Sequence, residues 1–285
     1  MNYGGLPEEF SKQDSSKIVI LPVPYDGTST WIKGADKGPA ALIEASENME
    51  IYDIETDSEV HTKGIFTAPF VKAERRPEKM VQKVYEQTKQ YLKKNKFTVV
   101  IGGEHSVSIG TIKAHAEKYD ELTIVQFDAH ADMRDEYDGS QYNHACVMAR
   151  VKEMGLPVMQ IGIRSMSVEE REKIESDRVF YADRIIDNKS AFMYEMLNKL
   201  TPNVYITFDL DVFDPSVMPA TGTPEPGGLG WYTILDILKS VFAKANVVGF
   251  DIVELCPVKY NKAPEFLAAK LTHQMLTFKF INHIE

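Results

Sequence analysis

Three short apolar segments of the chain each end in side chains that can bind metal ions. They are Val99–Ser106 (VVIGGEHS), Ile124–Asp132 (IVQFDAHAD) and Tyr205–Pro215 (YITFDLDVFDP). Together they supply six candidate ligands, which are His105, Asp128, His130, Asp132, Asp209 and Asp211. Buried carboxylates need compensating cations, and carboxylate and imidazole ligands without a thiolate favour Mn²⁺ over Zn²⁺. Six ligands exceed one tetrahedral site, so the segments predict two ions that share bridging carboxylates.

Each of these residues has an ordinary structural interpretation when it is taken alone. A single aspartate after a strand usually shapes a turn, and a single histidine usually bonds a backbone group. Loop composition alone does not readily place His or Asp at alternating positions after three separate strands. The joint pattern therefore favours a metal site.

The segments belong to an alternation of strand-like and helix-like stretches. Strands are predicted at approximately Lys17–Val23, Met49–Asp53, Phe97–Gly102, Leu122–Asp128, Pro157–Ile163, Arg178–Ala182, Asn203–Asp209 and Asn246–Val253. Helices are predicted at Lys79–Asn95, Ser106–Lys118, Trp231–Ala245 and Ala263–Asn282. Several strands are apolar on both faces, which is typical of a parallel sheet covered by helices on both sides. We expect a single α/β domain over residues 1–285.

All six candidate ligands fall at or beyond the carboxyl ends of predicted strands, where open α/β sheets bind ligands. A fully extended chain from Asp128 to Asp132 would span roughly 13 Å, which is too long for ligands of one ion pair. The strand should therefore end near Asp128, and the chain should curl so that the side chains converge. Gly102 and Gly103 should let the chain turn sharply before His105.

Composition limits the remaining possibilities. The chain has a net charge of −10, and it lacks a basic run interleaved with aromatic residues, which argues against nucleic-acid binding. Without a signal-like N-terminus or a run long enough to span a membrane, we expect a cytoplasmic protein. The two cysteines, Cys146 and Cys256, imply no disulfide framework, and we interpret them as small packing residues rather than reactive thiols.

The motifs GGEHS, DAHAD and FDLDVFDP resemble the signatures of the ureohydrolases, which include arginase, agmatinase, formiminoglutamase and guanidinobutyrase. Pro22–Leu42 is similar to the Gly/Pro-rich N-terminal segment of that family, and Asp251–Pro257 (DIVELCP) is similar to its last motif. The resemblance implies an α/β fold of three layers, α-β-α, around an eight-stranded and mainly parallel sheet. It also implies two Mn²⁺ per subunit and a homo-oligomer, either a trimer or a hexamer.

The same resemblance assigns roles to individual residues. It places His105, Asp128, Asp132 and Asp209 on one Mn²⁺ and His130, Asp128, Asp209 and Asp211 on the other, with Asp128 and Asp209 bridging. It assigns proton transfer to His144 and guanidinium binding to Glu254, and Asn143 is a further candidate for substrate contact. Without the resemblance, His144 would be interpreted as a helix-start histidine and Glu254 as a salt-bridged strand-end carboxylate.

Hydrolysis of a guanidinium group explains why such residues would be needed. Its carbon is a poor electrophile, and two divalent ions that share one water stabilise a hydroxide strong enough to attack it. The Glu254 carboxylate can accept two N–H bonds from the planar guanidinium. His144 suits protonation of the leaving amine because an imidazole titrates near neutral pH.

The segment between Asp132 and His144 should line the pocket for the substrate tail. Asp135, Glu136 and Asp138 make it acidic, which favours an amine-tailed substrate, and the loop resembles that of agmatinases. We therefore predict hydrolysis of agmatine to putrescine and urea. Arg134 could instead pair with a carboxylated tail, so a guanidinobutyrase or a formiminoglutamase-like enzyme is an alternative. A zinc amide hydrolase of the deacetylase type and a catalytically silent metal-binding paralogue also stay open.

Overall fold

A computed structural model describes residues 1–280 of the chain, and at its centre lies one eight-stranded sheet. The strands are β1 (Ile18–Val23), β2 (Ile65–Thr67), β3 (Phe97–Gly102), β4 (Leu122–Phe127), β5 (Val158–Ile163), β6 (Val179–Tyr181), β7 (Asn203–Asp209) and β8 (Asn246–Val253). Their order is β2-β1-β3-β8-β7-β4-β5-β6, and every pair of neighbours is parallel. All strands therefore present their carboxyl ends at the same edge of the sheet.

Helices cover both faces of the sheet. Within residues 1–280 they are α1 (Glu8–Ser11), α2 (Gly38–Ser46), α3 (Pro77–Lys93), α4 (Val107–Ala116), α5 (Val147–Glu153), α6 (Val168–Lys173), α7 (Ala182–Asp187), α8 (Lys189–Leu197), α9 (Trp231–Lys244) and α10 (Ala263–Phe280). None of these helices has the length and apolar character needed to cross a membrane. The predicted three-layer α/β architecture is confirmed.

Alternation along the strands explains the layers. In β1, Ile18 and Ile20 pack into a core shared with α2 and α10, whereas Val19 and Leu21 point to the opposite face and pack with α3. Successive strand side chains point to opposite faces, so a strand buried between two helical layers must be apolar throughout. The doubly apolar runs in the sequence therefore mark the central layer of the fold.

Seven of the eight predicted strands are present, and one prediction is wrong. Residues 49–53 form no strand; the edge strand that pairs with β1 is instead Ile65–Thr67. Asp53 lies at a turn, where its carboxylate accepts bonds from Glu55 N–H at 3.1 Å and from the Thr56 hydroxyl at 3.0 Å. Local side-chain bonds of this kind stabilise a turn in place of a strand. The four predicted helices are confirmed, although the predicted end of the last one at Asn282 lies outside the described residues.

The two glycines before His105 do not form the sharp turn that was predicted for them. Neither Gly102 nor Gly103 adopts a positive φ. A Cβ atom on Gly103 would lie 1.9 Å from the carbonyl oxygen of Tyr25, which also accepts the Glu104 N–H at 2.8 Å. Gly103 therefore permits the loop after β3 to touch the loop after β1, and this contact places His105 at the strand edge.

Gly110 in α4, the helix that follows His105, provides a test of the packing between α4 and α3. A Cβ atom there would lie 2.3 Å from the Val81 carbonyl oxygen and 2.9 Å from the Tyr85 nitrogen, both on the backbone of α3. Alanine is favoured over glycine in helices by about 1 kcal/mol. Here, however, the added methyl group would overlap with backbone atoms of α3, and displacing a backbone costs more free energy than that. We expect Gly110→Ala to destabilise the fold by roughly 1–3 kcal/mol, measured as a lower thermal midpoint. Gly230→Ala is the control, because nothing lies within 4 Å of its Cβ position. An unchanged midpoint for Gly110→Ala would contradict the packing argument.

Candidate metal centre and cleft

The strand order brings the three predicted ligand segments together. β4 and β7 are neighbours, and β3 lies one strand further along, beyond β8. His105 follows β3, Asp128 follows β4 directly, and Asp209 is the last residue of β7. Their side chains therefore meet above the carboxyl edge of the sheet.

The first cluster is centred on the imidazole of His105. Its Nδ1 lies 3.1 Å from Asp128 Oδ2, 3.0 Å from Asp132 Oδ2 and 3.4 Å from Asp209 Oδ2. All four residues are buried, and this nitrogen makes no hydrogen bond of acceptable geometry. His105, Asp128 and Asp132 each offer one atom within 4.8 Å of the others, which is a suitable set of ligands for a divalent ion, and Asp209 Oδ2 lies beside this set.

The second cluster adjoins the first. His130 Nδ1 lies 2.9 Å from Asp211 Oδ2 and 3.6 Å from Asp128 Oδ1. Asp128 therefore directs one oxygen to each cluster, as a bridging ligand would. Asp209 has its Oδ2 in the first cluster, whereas its Oδ1 accepts the backbone N–H of Asp211 at 2.8 Å.

The charges of the cluster show a demand for cations. Burial alone would lower the pKa of His105 and of His130, yet the adjacent carboxylates raise the pKa of each imidazole well above its usual value. Burial and the neighbouring Asp128 charge raise the pKa of Asp132 to about 7. Four buried carboxylates with two imidazoles and no thiolate therefore fit two hard or borderline ions such as Mn²⁺.

The local chain geometry follows from the alternating spacing of the ligands. Asp128 Oδ1 accepts the His130 N–H at 2.6 Å, and Asp209 accepts the Asp211 N–H in the same way. An aspartate that bonds the backbone two residues later closes a tight turn. β4 ends at Phe127, and Asp132 takes a positive φ of 53°. The predicted curl after the strand is therefore confirmed, and the aspartates that would bind metal also produce it.

A layer of polar residues behind the ligands orients them. Thr207 Oγ1 lies 2.9 Å from His105 Nε2 and donates to Asp251 Oδ1 at 2.7 Å. Because Thr207 gives its proton to Asp251, it accepts the proton on Nε2 of His105, and Nδ1 is the nitrogen that could bind a metal ion once it has lost its own proton. Gln126 holds the bridging residue from another side, since its amide donates to Asp128 Oδ2 at 2.7 Å.

Arg164, directly after β5, joins the loops around the site. Its guanidinium donates to six backbone carbonyl groups at 2.7–3.3 Å, those of Gly162, Asp211, Val212, Phe213, Glu225 and Pro226. The shortest bond is to the carbonyl of Asp211, so Arg164 holds the backbone of a candidate ligand.

Sequence reasoning missed Arg164, Thr207 and Gln126. For the latter two a signal existed, because each is a polar residue inside an otherwise apolar strand.

A cleft of about 290 Å³ opens above both clusters, and Glu254 and His144 line it. Glu254 has a positive φ of 65°, which is strained for a residue with a side chain. Its Oε1 accepts the His105 N–H at 2.7 Å, and burial together with the nearby Glu104 raises its pKa well above the usual value. The structure thus places a carboxylate that favours a cationic partner beside the metal ligands.

His144 begins a short 3₁₀ turn, His144–Cys146, and contacts Thr28 through its ring and its backbone. Burial lowers the pKa of His144 to about 4, so the imidazole is neutral at pH 7. His144 therefore differs from the acid expected of an ordinary imidazole, because its neutral ring must take up a proton before it can donate one.

Asn143 lies behind the wall of the cleft. Its Oδ1 accepts the Ala145 N–H at 3.1 Å, and its Nδ2 donates to the Tyr137 carbonyl at 3.2 Å. Both ends of the amide are occupied by the loop, and Asn143 does not line the cleft. The structure therefore gives it a part in shaping the loop that carries His144, and it does not place it against a substrate.

The acidic loop also differs from the prediction. From residues 133–143 the cleft receives Arg134 and Tyr137, whereas Asp135, Glu136 and Asp138 are exposed and lie outside its lining. Asp135 pairs with Lys173 at 2.8 Å, which directs it away from the site. The carboxylate in this wall is the buried Glu170, which accepts the Met133 and Ser167 N–H groups.

Both cysteines are buried near the site. Burial and the nearby Asp132 charge raise the pKa of Cys146 to about 11, and burial raises the pKa of Cys256 as well. Both thiols are therefore protonated at neutral pH, as expected for packing residues.

Comparison with known proteins agrees with this geometry. A model of the arginase family matches residues 16–277. The chain is similar to N(1)-aminopropylagmatine ureohydrolase of Synechocystis sp., with 39% identity over 95% of this chain and 92% of the relative. It is also similar to agmatinase of Pyrococcus horikoshii, with 34% identity over 89% and 88% of the two chains. Among solved structures, agmatine ureohydrolase of Thermoplasma volcanium superposes with a TM-score of 0.85 at 30% identity, covering 93% of this chain and 90% of that one.

Asp128 provides a test of the shared metal centre. Because its two oxygens face different clusters, Asp128→Asn should weaken both metal sites and lower the bound divalent metal from about two equivalents to below one. Metal content after gel filtration, measured by mass spectrometry, tests this expectation. Asp138→Asn is the matched control, since that exposed residue lies outside the cleft and already has a positive φ that asparagine tolerates. Full metal retention in Asp128→Asn would exclude a bridging role.

Metal binding should release protons at neutral pH. The carboxylates hold the pKa of His105 and of His130 above the usual 6.5, so without metal both rings are protonated at pH 7. Each must lose its proton before it can coordinate, and metal affinity should therefore fall as the pH is lowered. Titration calorimetry in two buffers of different ionisation enthalpy measures the proton release. A binding enthalpy that is independent of the buffer would contradict this expectation.

Proposed function

The chain belongs to the arginase family and is a ureohydrolase, and we propose that it uses two Mn²⁺ ions to hydrolyse an amine-tailed guanidine, agmatine, to putrescine and urea. The observation that supports this proposal is the pair of ligand clusters that share Asp128, with Glu254 beside them in one cleft. A carboxylate beside a metal site suits a cationic planar group that must be held over a nucleophile.

The ligand residues would hold the two ions at the floor of the cleft. His105 and Asp132 would hold one ion and His130 and Asp211 the other, and Asp128 and Asp209 would be shared between them. The ions, when bound, lower the pKa of water enough to supply a hydroxide nucleophile at neutral pH. The turn bonds made by Asp128 and Asp209 keep the ligands in place, so little reorganisation is needed.

Glu254 orients the guanidinium. Its Oε1 is fixed by the His105 N–H, while a Cβ atom built on Gly222 would lie 3.6 Å from its Oε2. The glycine therefore leaves space beside that oxygen for an N–H group of the substrate. Burial raises the pKa of Glu254, and a bound cation restores its ionised form. A planar carboxylate that binds a planar guanidinium presents the carbon with one face toward the ions.

His144 handles the proton of the leaving amine. Its Nδ1 faces Thr28, so Nε2 is the nitrogen that is free to exchange a proton. After the water oxygen has bonded to the guanidinium carbon, a neutral imidazole can accept the hydroxyl proton of the tetrahedral adduct and pass it to the departing nitrogen. The C–N bond then breaks, and the products are the amine and urea. The lowered pKa makes His144 a weak base but a strong acid for the second transfer.

The contacts of Arg134 favour an amine tail over a carboxylated one. Its Nε lies 3.8 Å from Glu170 Oε2, and its guanidinium lies 4.7 Å above the Tyr137 ring. A positive charge already paired and stacked in this way offers little to a substrate carboxylate. The alternative of a guanidinobutyrate-type substrate, which depended on a free Arg134, is therefore weakened.

A second candidate substrate is N(1)-aminopropylagmatine, which carries a longer amine tail. The Synechocystis relative, at 39% identity, has that name. At the mouth of the cleft, Trp31 and Ile32 are 71% and 40% exposed and offer apolar surface to a longer alkyl chain. Both candidates share the guanidinium end and the chemistry, and they differ only in what the mouth must bind.

A substrate panel tests this proposal. The Mn²⁺-loaded protein is assayed for urea release from agmatine, N(1)-aminopropylagmatine, arginine and guanidinobutyrate, and for formamide release from formiminoglutamate. We expect kcat/KM for an amine-tailed substrate to exceed that for the carboxylated ones by about 100-fold. A substrate carboxylate that lies near a like charge, or that finds no partner, costs several kcal/mol of binding free energy. Turnover of formiminoglutamate or guanidinobutyrate alone would overturn the substrate assignment and leave the metal chemistry intact.

The anchoring role of Glu254 has its own test. Glu254→Gln removes the charge but keeps the shape, so kcat/KM should fall by about 100-fold while bound metal is retained. Glu136→Gln is the control, because that exposed carboxylate lies outside the cleft and should leave the kinetics unchanged. Wild-type kinetics in Glu254→Gln would remove Glu254 from guanidinium binding.

A further inference from the structure

Arg164, directly after β5, holds the backbone on which both histidine and aspartate of the second cluster depend. Its own N–H donates to the carbonyl of Ala129 at 2.9 Å, and the N–H of Ser165 donates to the same carbonyl at 3.0 Å. Ala129 directly precedes His130. The backbone after β5 therefore fixes the part of the chain that presents the imidazole of His130 to the cluster.

The guanidinium of Arg164 holds the other ligand, Asp211. That residue lies in the 3₁₀ turn Leu210–Val212, and so short a turn cannot satisfy its own last carbonyl groups. Arg164 donates to the carbonyls of Asp211, Val212 and Phe213 at 2.7, 3.3 and 3.2 Å. A guanidinium presents five N–H donors in one plane, whereas a lysine concentrates its donors on one nitrogen. The conformation of the turn, and with it the direction of the Asp211 carboxylate, thus depends on the arginine.

The same guanidinium also holds a third loop, which places a carboxylate behind His130. It donates to the Glu225 carbonyl at 2.8 Å and to the Pro226 carbonyl at 3.1 Å. His130 directs Nδ1 toward Asp211 at 2.9 Å, while its Nε2 lies 3.9 Å from Glu225 Oε1. A carboxylate beside the outer nitrogen of a metal-binding histidine orients the ring and raises its basicity.

The histidine and the unshared aspartate of the first cluster are held by other residues. Nε2 of His105 lies 2.9 Å from the Thr207 hydroxyl, and the Asp132 carbonyl accepts the Met148 N–H at 3.0 Å. Within the described part of the chain, Arg164 makes no hydrogen bond with either of these two ligands. The two clusters therefore share bridging carboxylates but have separate supports.

We propose that Arg164, together with the Glu225 carboxylate that it places, is a positioning residue for the second metal ion alone, the ion that His130 and Asp211 would hold. Occupancy of the first site does not depend on it. This inference rests on the proposed function only in that two ions bind. It concerns the binding of metal, which is measured without a substrate.

The first test counts bound Mn²⁺ after gel filtration. Arg164→Lys keeps the charge but cannot bond three loops at once, so bound Mn²⁺ should fall from about two equivalents to about one. In a His105→Asn background the same substitution should remove most of the remaining metal, whereas in a His130→Asn background it should cause no further loss. Two retained ions in Arg164→Lys, or equal losses in the two backgrounds, would overturn the proposal.

A matched control separates selective support from general destabilisation. Arg150 is also a buried arginine that donates to backbone carbonyls, those of Asp135 at 2.9 Å and Gln141 at 3.3 Å, and it holds no ligand loop. Arg150→Lys should retain about two ions at a comparable loss of thermal stability. Electron paramagnetic resonance distinguishes a coupled pair of Mn²⁺ ions from a single ion and should show a single ion in Arg164→Lys. Loss of both ions from that variant would contradict a selective role.

Glu225→Gln tests the support without disturbing the backbone, since the carbonyl that Arg164 bonds is kept. The affinity for the second Mn²⁺ should fall by about 10-fold, with the first unchanged, in a calorimetric titration. If both affinities stay as in wild type and only KM for an amine-tailed substrate rises, the carboxylate serves the substrate and its part in the proposal is wrong. The predicted pattern of metal loss in a protein that hydrolyses none of the guanidines would support the role of Arg164 and count against the proposed function.

Discussion

Four carboxylates buried within a few ångströms of one another are the constraint on which the rest of this structure depends. Asp128, Asp132, Asp209 and Asp211 cannot all be ionised in a buried site without cations, and the raised pKa values of His105 and Asp132 show how strongly they compete for positive charge. Metal ions satisfy that demand with ligands of the right type. The parallel sheet makes such a cluster possible, since it directs the carboxyl ends of three strands to one edge.

Backbone geometry and ligand chemistry are combined in the same residues. Asp128 and Asp209 each bond an N–H two positions later, so the residues that would bind metal also close the turns that gather the other ligands. Asp132 and Glu254 both hold positive φ values at this site. Strained conformations of this kind persist only where surrounding contacts enforce them, and the hydrogen bonds of Arg164 to six carbonyl groups are among those that hold the neighbouring loops.

Predictions about the outer cleft were less successful than those about its floor. The acidic residues after Asp132 were expected to face the substrate, but Lys173 pairs with Asp135, and Glu170 supplies the carboxylate of the wall. Asn143 was expected to contact substrate, and its amide instead closes its own loop. The direction of a loop side chain depends on its hydrogen-bond and ion-pair partners. These partners lie in distant segments, so the spacing of residues within the loop does not reveal them.

The sequence by itself determined seven of the eight strands and the candidate ligands on the floor of the site. Strands that are apolar on both faces, and alternating Asp-x-His and Asp-x-Asp patterns, are features of local periodicity. Such periodicity can be read from a single sequence. The tertiary structure alone decided the neutral state of His144, the contact of Thr28 with its ring and the withdrawal of the acidic loop. Burial and hydrogen-bond partners set these properties, and both arise only when segments far apart in sequence pack together.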